Sequence, residues 1–317
     1  MTEQNQFGPN GWTPDRILEL NGKVFVVTGT TSGTGYEIAR ILLSKGATVL
    51  MLNRNPEKAK TSLALLKETL GNGVEAVNIQ MDLSDQASVK KAAAEVLETA
   101  SQIDALICNG AIAQVPKRVL SKDGWESQMA VNYFGHFTLQ ALLYPLIEKS
   151  KGRIVSVGSM GYDMGIKAIN FEDVNWDKEY TPNNAYSQSK LAQIMSIYEV
   201  HDRISNAGKS AVKAFACHPG SSRTNLINTS GSFMMKVIFG MMKLTPLTQN
   251  AEKGAYPALM CATEPDLDQN EFYGPTGWSN WVGPVGAHEL KAHARDKEAS
   301  IRLWDLSEKM TQISWNF

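Results

Sequence analysis

The stretch VVTGTTSGTG, residues 26–35, closes a short β-branched run and leads into a helical pattern. Its glycines Gly29, Gly33 and Gly35 fall in the turn between the two. Glycine lets the backbone approach a pyrophosphate closely, and a helix N-terminus offers free N–H donors and positive potential. Glycine-rich turns are common, but this one lies between a strand and a helix, which is the context of a dinucleotide site.

Similar apolar runs alternate with longer helical patterns through the rest of the chain. They lie at 23–28, 47–52, 74–79, 103–108, 153–158 and 211–216. Because these runs are apolar on both faces, we expect strands buried between helix layers and joined by right-handed crossovers. The pattern predicts an α/β fold, a single-domain Rossmann-type doubly wound parallel sheet. We expect an arm over 1–20, one domain over 21–317, and a helical segment over 221–250 that caps the substrate side.

Composition excludes several classes of protein. The 317 residues carry a net charge of −1, which gives no reason to expect nucleic acid as a partner. The N-terminus lacks the layout of a secretion signal, and no apolar run reaches the ~18–20 residues of a membrane span, so we expect a cytoplasmic protein. Three widely spaced cysteines argue against a disulfide framework, and the five histidines show no ligand spacing, so we expect no metal.

The end of the second predicted strand bears on the choice of cofactor. An NAD-binding chain often has a carboxylate there for the ribose 2′-hydroxyl, whereas this chain has Asn53 and Arg54. A guanidinium suits a 2′-phosphate, so the residues favour NADP(H) over NAD(H); the alternative is a solvated arginine at a strand end. After the third strand, Asp82 and Leu83 could bracket the adenine, although Asp82 is nearly as well explained as a turn cap.

Four polar residues follow later strands in the order that a reaction site would need. Ser159 follows the fifth strand, and Asn132 follows the fourth. Tyr186 and Lys190, in NNAYSQSK (183–190), begin the next helix, which we expect over about 184–206. We expect the Lys190 ammonium to lower the pKa of Tyr186, so that the phenol can exchange a proton near neutral pH. Ser159 would donate to a developing alkoxide. Asn132 could hold a water that passes protons to Lys190.

These motifs together resemble the short-chain dehydrogenase/reductase superfamily. TGTTSGTG (28–35) matches its TGxxxGxG turn, YSQSK (186–190) its YxxxK pair, and HPGSSRT (218–224) its PG…T segment. The long stretch from Ser159 to Tyr186, together with FYGPTGW (272–278) and RLWDLSEKMT (302–311), is most similar to the retinol-dehydrogenase-like group.

The resemblance implies an NADP-dependent alcohol dehydrogenase or carbonyl reductase with the tetrad Asn132, Ser159, Tyr186 and Lys190. The implied cofactor contacts are Gly29, Thr31, Ser32, Gly33, Gly35, Asn53, Arg54, Asp82, Leu83, Asn109, Gly110, Lys190, Pro219, Gly220 and Thr224. Two segments depart from the family pattern. CNGA (108–111) replaces NNAG but keeps Asn109, and Thr34 stands where an apolar residue is usual, which would place a hydroxyl near the pyrophosphate.

The substrate side is less specific. Residues 233–247, FMMKVIFGMMKLTPL, are rich in methionine, with Lys236 and Lys243 on one face. They suit a lid over an apolar pocket, ordinary packing or a subunit contact, or a membrane surface. We expect an apolar alcohol, aldehyde or ketone as the substrate, with Trp278 and Trp281 near the entrance or packed against the C-terminal segment.

Other functions remain open at this level. The chain could be a nucleotide-sensing protein without catalysis, an epimerase or dehydratase that retains its cofactor, or a pigment-reducing relative of the protochlorophyllide reductases. A homodimer or homotetramer is compatible with the fold.

Overall fold

In the computed structural model, residues 5–209, 211–222 and 248–317 are described. The strands are β1 (Val24–Thr28), β2 (Thr48–Asn53), β3 (Ala76–Gln80), β4 (Ala105–Cys108), β5 (Arg153–Val157), β6 (Lys213–Cys217), β7 (Phe272–Pro275) and β8 (Val285–His288). The helices are α1 (Gly33–Ser44), α2 (Pro56–Leu70), α3 (Gln86–Thr99), α4 (Ser127–Met129), α5 (Gly135–Lys149), α6 (Pro182–Asn206), α7 (Ala251–Thr263) and α8 (Lys297–Thr311). A π-helical segment, Ala130–Phe134, joins α4 to α5.

The strands form one eight-stranded sheet in the order β3-β2-β1-β4-β5-β6-β7-β8. All neighbours pair in parallel except β7 and β8, which are antiparallel. The predicted doubly wound parallel sheet is therefore confirmed, with two strands that the apolar runs did not indicate. The order in which strands are added reverses between β1 and β4. In such sheets the crevice at the carboxyl ends of these strands binds the ligand.

The sheet separates two apolar cores, as expected for strands that are buried on both faces. Val26 of β1 packs in the core with α3, α5, α6 and α8. Its neighbours Phe25 and Val27 point the other way, into the core with α1 and α7. This alternation follows from the two-residue period of a strand. Both cores must be covered by helices, so the loops at the strand ends remain available for a site.

The long helix α6 begins two residues before the predicted start at 184. Pro182 occupies its first turn, and the Thr181 side chain accepts a hydrogen bond of 3.2 Å from the Asn184 N–H. Proline lacks an N–H and has a helical φ, so it fits the first turn and not the interior. The helix start is thus fixed by a cap, and it places Tyr186 in the second turn, beside the carboxyl end of β5.

The N-terminal residues contact the opposite end of the chain. Trp12 is only 1% exposed, its backbone N–H donates to the Val285 carbonyl at 3.0 Å, and its indole N–H donates to Glu264 at 2.7 Å. Arg16 forms an ion pair with the same carboxylate at 2.9 Å. Residues 12–16 therefore lie against β8 and the end of α7.

Candidate active site

A cavity of about 1060 Å³ lies at the carboxyl ends of the central strands. Its walls bring together residues from the glycine turn, the ends of β2, β3 and β4, the loop after β5, and α6. Of the residues singled out from the sequence, it is lined by Gly29, Thr31, Ser32, Gly33, Asn53, Arg54, Asp82, Leu83, Asn109, Gly110, Ser159, Tyr186, Lys190, Pro219 and Gly220. Gly35 and Asn132 lie behind this wall, and Thr224 lies outside the described residues.

The glycine turn after β1 needs its glycines for geometric reasons. Gly29 and Gly33 have φ of +73° and +60°, a region that favours glycine. A Cβ on Gly35 would lie 2.1 Å from the Gly29 carbonyl oxygen. The Ser32 side chain does not cap α1, so the first N–H groups of this helix have no side-chain cap at the cavity wall. Such a turn fits the pyrophosphate of a dinucleotide, through N–H donors and the helix dipole.

Asn53 lines the cavity, as expected of a cofactor contact, but its side-chain amide is bound inside the protein. Its side-chain oxygen accepts from the Thr30 N–H at 2.8 Å, and its side-chain nitrogen donates to the Thr30 hydroxyl at 2.8 Å. Asn53 is 3% exposed. Because both ends of the amide are used inside the protein, Asn53 fixes the glycine turn to the end of β2.

Arg54 is the exposed residue that follows Asn53 at the cavity wall. Among the described residues, it has no hydrogen bond or ion pair with another side chain, so its guanidinium is available for an anion. Lys58 of α2 lines the same end of the cavity. This end therefore combines two cations with the uncapped start of α1, and it suits an anionic group such as a phosphate.

On the opposite side of the turn, Asn109 connects three segments. Its side-chain nitrogen donates to the carbonyls of Thr28 at 3.0 Å and Gly29 at 3.3 Å. Its side-chain oxygen accepts from the Thr34 hydroxyl at 3.2 Å. Thr34 lines the cavity, where we expected a hydroxyl near the pyrophosphate, but that hydroxyl donates its proton to Asn109.

Asp82 forms the turn cap that was the alternative to an adenine contact. One carboxylate oxygen accepts from the Ser84 N–H at 2.9 Å and from the Ser84 hydroxyl at 2.7 Å. Asp82 still lines the cavity next to Leu83, whose side chain lies against Gly110: a Cβ on Gly110 would be 3.0 Å from Leu83 Cδ1. The two roles are compatible, since the cap uses one of the two carboxylate oxygens.

Ser159 and Tyr186 meet at the cavity floor. A Cβ placed on Gly161 would lie 2.6 Å from Tyr186 Cε1 and 3.2 Å from Ser159 Oγ, so both side chains approach the same point. Ser159 Oγ accepts from the Gly161 N–H at 3.0 Å, which fixes its orientation. The Ser159 hydroxyl also interacts with the Tyr186 phenol. A ligand oxygen at this point could contact both hydroxyls.

The charges on Tyr186 and Lys190 differ from those expected. Burial raises the pKa of Tyr186 above its usual 10.0, against the opposing effect of the Ser159 hydrogen bond. Burial lowers the pKa of Lys190 from 10.5 to about 7. The predicted lowering of the tyrosine pKa is therefore wrong, because burial disfavours the charged form of both groups.

Lys190 is held by two neutral oxygens. Its Nζ donates to the Val157 carbonyl at 3.0 Å and to Gln193 Oε1 at 2.9 Å. No carboxylate is among these partners, so nothing negative offsets the cost of burying an ammonium. Gln193, one helical turn after Lys190, was missed in the sequence because no motif includes it, although its i+3 position on α6 would have indicated a contact.

Asn132 anchors the loop after β4 instead of facing the cavity. Its side chain accepts from the Ile112 N–H at 2.9 Å and donates at 2.9 Å to both the Ile112 carbonyl and the Ser189 hydroxyl. The side-chain amide is thus occupied by protein groups. Through these contacts Asn132 fixes α6 to the loop over residues 109–114.

Comparisons with known proteins identify the family of this chain. The family model described as short chain dehydrogenase matches residues 23–234. Human retinol dehydrogenase 11 is 33% identical over 293 residues, covering 92% of this chain and 86% of that protein. Human retinol dehydrogenase 12 is 31% identical over 300 residues, covering 94% and 89%. The chain belongs to the retinol-dehydrogenase-like group of the short-chain dehydrogenase/reductase superfamily. It is an oxidoreductase whose fold binds a nicotinamide cofactor.

Solved structures agree on the fold of this oxidoreductase. An uncharacterised protein from Mycobacterium paratuberculosis superposes with a TM-score of 0.79 at 33% identity, covering 97% of this chain and 100% of that one. A protein named as a gluconate 5-dehydrogenase from Beutenbergia cavernae, with NADP bound at low occupancy, gives a TM-score of 0.59 at 23% identity. It covers 81% of this chain and 92% of its own.

The outer part of the dehydrogenase cavity is mostly apolar. Met160, Met164 and Trp281 line it, and Trp278 is 57% exposed beside Trp281, with ring centroids 5.6 Å apart. The segment 233–247 lies outside the described residues. Gly220, with φ of +62°, lies against Trp281: a Cβ there would be 2.3 Å from the Trp281 carbonyl oxygen.

The structure also bears on membranes and metals. Within the described residues, no helix has the length and apolar character to cross a membrane. Over the same residues, no three histidine, cysteine, aspartate or glutamate side chains come together as metal ligands.

Proposed function

We propose that this dehydrogenase is NADP(H)-dependent and interconverts an apolar alcohol with its aldehyde or ketone in the cytoplasm. The observation that carries the proposal is one continuous cavity. At one end it has the glycine turn with Arg54, and on its floor it has the hydroxyls of Ser159 and Tyr186. A nicotinamide bound here would supply or accept the hydride. The protein must then hold the substrate oxygen and manage its proton.

Tyr186 is the group that exchanges this proton. Tyr186 is 9% exposed and lines the cavity, and its phenol meets the Ser159 hydroxyl, so a substrate oxygen on the cavity floor is within reach of both. Because burial raises the pKa of Tyr186, the phenol is protonated near neutral pH and is ready to act as an acid toward a carbonyl oxygen. The Ser159 hydroxyl donates to the same oxygen and stabilises developing negative charge.

Lys190 provides a second group that can exchange a proton. Since burial brings the pKa of Lys190 to about 7, its amine can take up and release a proton near neutral pH. Its two neutral partners, the Val157 carbonyl and Gln193, keep Nζ at the cavity wall. The amine thus lines the same cavity as Tyr186. It forms no ion pair with its two partners, so its charge is free to change.

The apolar side chains that line the outer part of the cavity indicate the class of substrate. Met160, Met164 and Trp281 offer adaptable apolar surface, and methionine suits ligands of irregular shape. The relatives named as retinol dehydrogenases support an apolar alcohol or aldehyde. The chemistry needs only the carbonyl or alcohol end to be polar.

Replacement of Tyr186 tests catalysis. With NADPH and decanal as probes, Tyr186→Phe should lower kcat by about 10²-fold or more, because general acid catalysis contributes roughly that much. NADPH affinity should stay unchanged. The control Tyr256→Phe removes a phenol that contacts Glu252 on α7, away from the cavity lining, and should retain full turnover. If wild type and Tyr186→Phe bind NADPH equally and neither turns over any of a panel of apolar aldehydes, ketones and alcohols, the chain is a nucleotide-sensing protein instead.

Replacement of Arg54 tests the cofactor. Arg54→Leu should weaken NADPH binding by about 10- to 100-fold, the effect of losing a hydrogen bond between charged groups, and should leave NADH binding unchanged. Lys60→Leu, on the exposed side of α2, should change neither affinity. Tighter binding of NADH than NADPH by the wild type would refute the role given to Arg54.

A further inference from the structure

His136 is a buried histidine between the two halves of the site that the proposed reaction does not use. It lies in α5, one turn after Asn132, and is 1% exposed. Its Nε2 is 3.0 Å from the Thr28 hydroxyl at the end of β1, and its Nδ1 is 3.0 Å from the Asn132 backbone carbonyl. The imidazole thus connects Thr28, where the glycine turn begins, to Asn132 of the tetrad.

The partners of Thr28 determine which ring nitrogen carries the proton. The Thr28 oxygen accepts the N–H groups of Asn109 at 2.9 Å and Gly110 at 2.8 Å. A hydroxyl oxygen has two acceptor lone pairs and one proton. With both lone pairs used, Thr28 donates its proton to His136, so Nε2 is the acceptor.

The contact of Nδ1 independently indicates the same tautomer. The Asn132 carbonyl can only accept, so Nδ1 must carry the hydrogen. Both ends therefore require one neutral tautomer with the proton on Nδ1. Burial also lowers the pKa of His136 to about 4, so the ring is neutral at physiological pH.

Through this ring, a chain of hydrogen bonds crosses the site. From the Asn109 and Gly110 N–H groups it passes through Thr28 and His136 to Asn132. The Asn132 side chain then donates to Ser189, and the Ser189 hydroxyl donates to the Tyr186 carbonyl at 2.8 Å. Polar contacts in a buried region therefore link the glycine turn to α6, the helix that carries Tyr186. A buried network whose hydrogen bonds are satisfied holds its geometry rigidly.

We propose that His136, in its Nδ1–H tautomer, is a positioning residue that aligns the glycine turn with Asn132 and with the start of α6, which carries Tyr186. The role rests on the proposed function, because it acts on the residues that bind NADPH and exchange the proton. It predicts that each half of the imidazole controls a different property of the enzyme.

Two substitutions separate the halves. In His136→Asn the side-chain amide reaches the position of Nδ1, so it keeps the donor to Asn132 and loses Thr28. In His136→Gln the longer amide reaches the position of Nε2, so it keeps an acceptor for Thr28 and loses Asn132. His136→Leu keeps neither. With NADPH and decanal, we measure kcat and, by fluorescence titration, the Kd for NADPH.

The two amides should give opposite patterns. His136→Asn should weaken NADPH binding by about tenfold with kcat nearly unchanged. His136→Gln should keep the Kd and lower kcat by about tenfold, since small misplacements near reacting groups have effects of this size. His136→Leu, if it folds, should show both losses. If Asn and Gln lower both quantities in the same proportion, His136 only fills space and the proposal fails.

The tautomer is tested without any turnover. In protein with 15N-labelled histidine, the signal lost in His136→Asn identifies His136, and its two nitrogen shifts report which one is protonated. The proposal requires the proton on Nδ1, and a proton on Nε2 overturns it. If the wild type lacks turnover but the tautomer and the pattern of NADPH affinities are as expected, the proposed reaction fails and the positioning role of His136 stands.

Discussion

Replacing Lys190 by methionine should make the protein more stable at pH 6 while it removes a residue of the site. Lys190 is 2% exposed and its two partners are neutral oxygens. A fall in the pKa from 10.5 to about 7 corresponds to about 5 kcal/mol in favour of the neutral amine. Below pH 7 the lysine is charged in both states, and the wild type bears this whole cost.

Part of the gain is offset by groups that Lys190 leaves behind. In Lys190→Met, the side-chain oxygen of Gln193 loses its donor, and the side-chain nitrogen of Gln193 already lacks a partner. An unsatisfied buried polar group costs about 1–3 kcal/mol. We therefore expect Lys190→Met to be about 2 kcal/mol more stable than the wild type at pH 6.

The dependence on pH is the sharper measurement. The folded pKa of Lys190 lies below the unfolded one, so the burial cost is complete below pH 7 and disappears as the pH rises through 10.5. Between pH 6 and pH 9 the wild type should gain about 3 kcal/mol relative to Lys190→Met. Urea unfolding without cofactor at both pH values measures this change.

An exposed lysine provides the matched control. Lys60→Met, on the solvent side of α2, should leave the free energy of unfolding within about 0.5 kcal/mol of the wild type at both pH values. If the difference between Lys190→Met and the wild type is the same at pH 6 and pH 9, the amine is not desolvated as described. The argument that its pKa lies near 7 would then be refuted.

Two further predictions concern the glycine turn and acid stability. Gly35→Ala places a Cβ 2.1 Å from the Gly29 carbonyl oxygen, so we expect a loss of about 1–3 kcal/mol of stability and weaker NADPH binding. Gly73→Ala, where the added Cβ meets open space, should match the wild type in urea unfolding and NADPH titration. Burial lowers the pKa of His136 and of His288 from 6.5 to about 4, so the unfolded chain takes up protons first as the pH falls through 6.5. Each should remove about 2 kcal/mol of stability between pH 7 and pH 5, and an unchanged urea midpoint over that range would contradict this.

The sequence predicted those parts of the molecule that depend on local patterns. Buried parallel strands read as continuous apolar runs, so β1 to β6 were found within two residues at each end. β7 and β8 were not found, because FYGP and VGAH are short, contain glycine or proline, and become strands only by pairing at the sheet edge. The start of α6 follows from Thr181 and Pro182 and was placed two residues late.

The roles of individual side chains were less predictable, because they depend on contacts between distant segments. Asn53 and Arg54 are adjacent in the sequence, yet one is buried against Thr30 and the other is exposed at the cavity wall. Asn132 carries a family motif, but its amide is used by Ile112 and Ser189. A motif identifies which residues belong to a site, whereas tertiary packing decides which of them touch the ligand.

Tyr186 and Lys190 of α6 show that pKa values also depend on tertiary packing. Spacing alone suggests that an ammonium one turn from a phenol will acidify it. Burial acts on both groups and disfavours each charged form, which raises the pKa of Tyr186 and lowers that of Lys190. At neutral pH the phenol is therefore protonated and the amine is close to half protonated. The site thus holds a protonated phenol beside an amine whose own protonation changes near neutral pH, an arrangement that a tight ion pair between them would prevent. Its cost is the stability that Lys190→Met should recover.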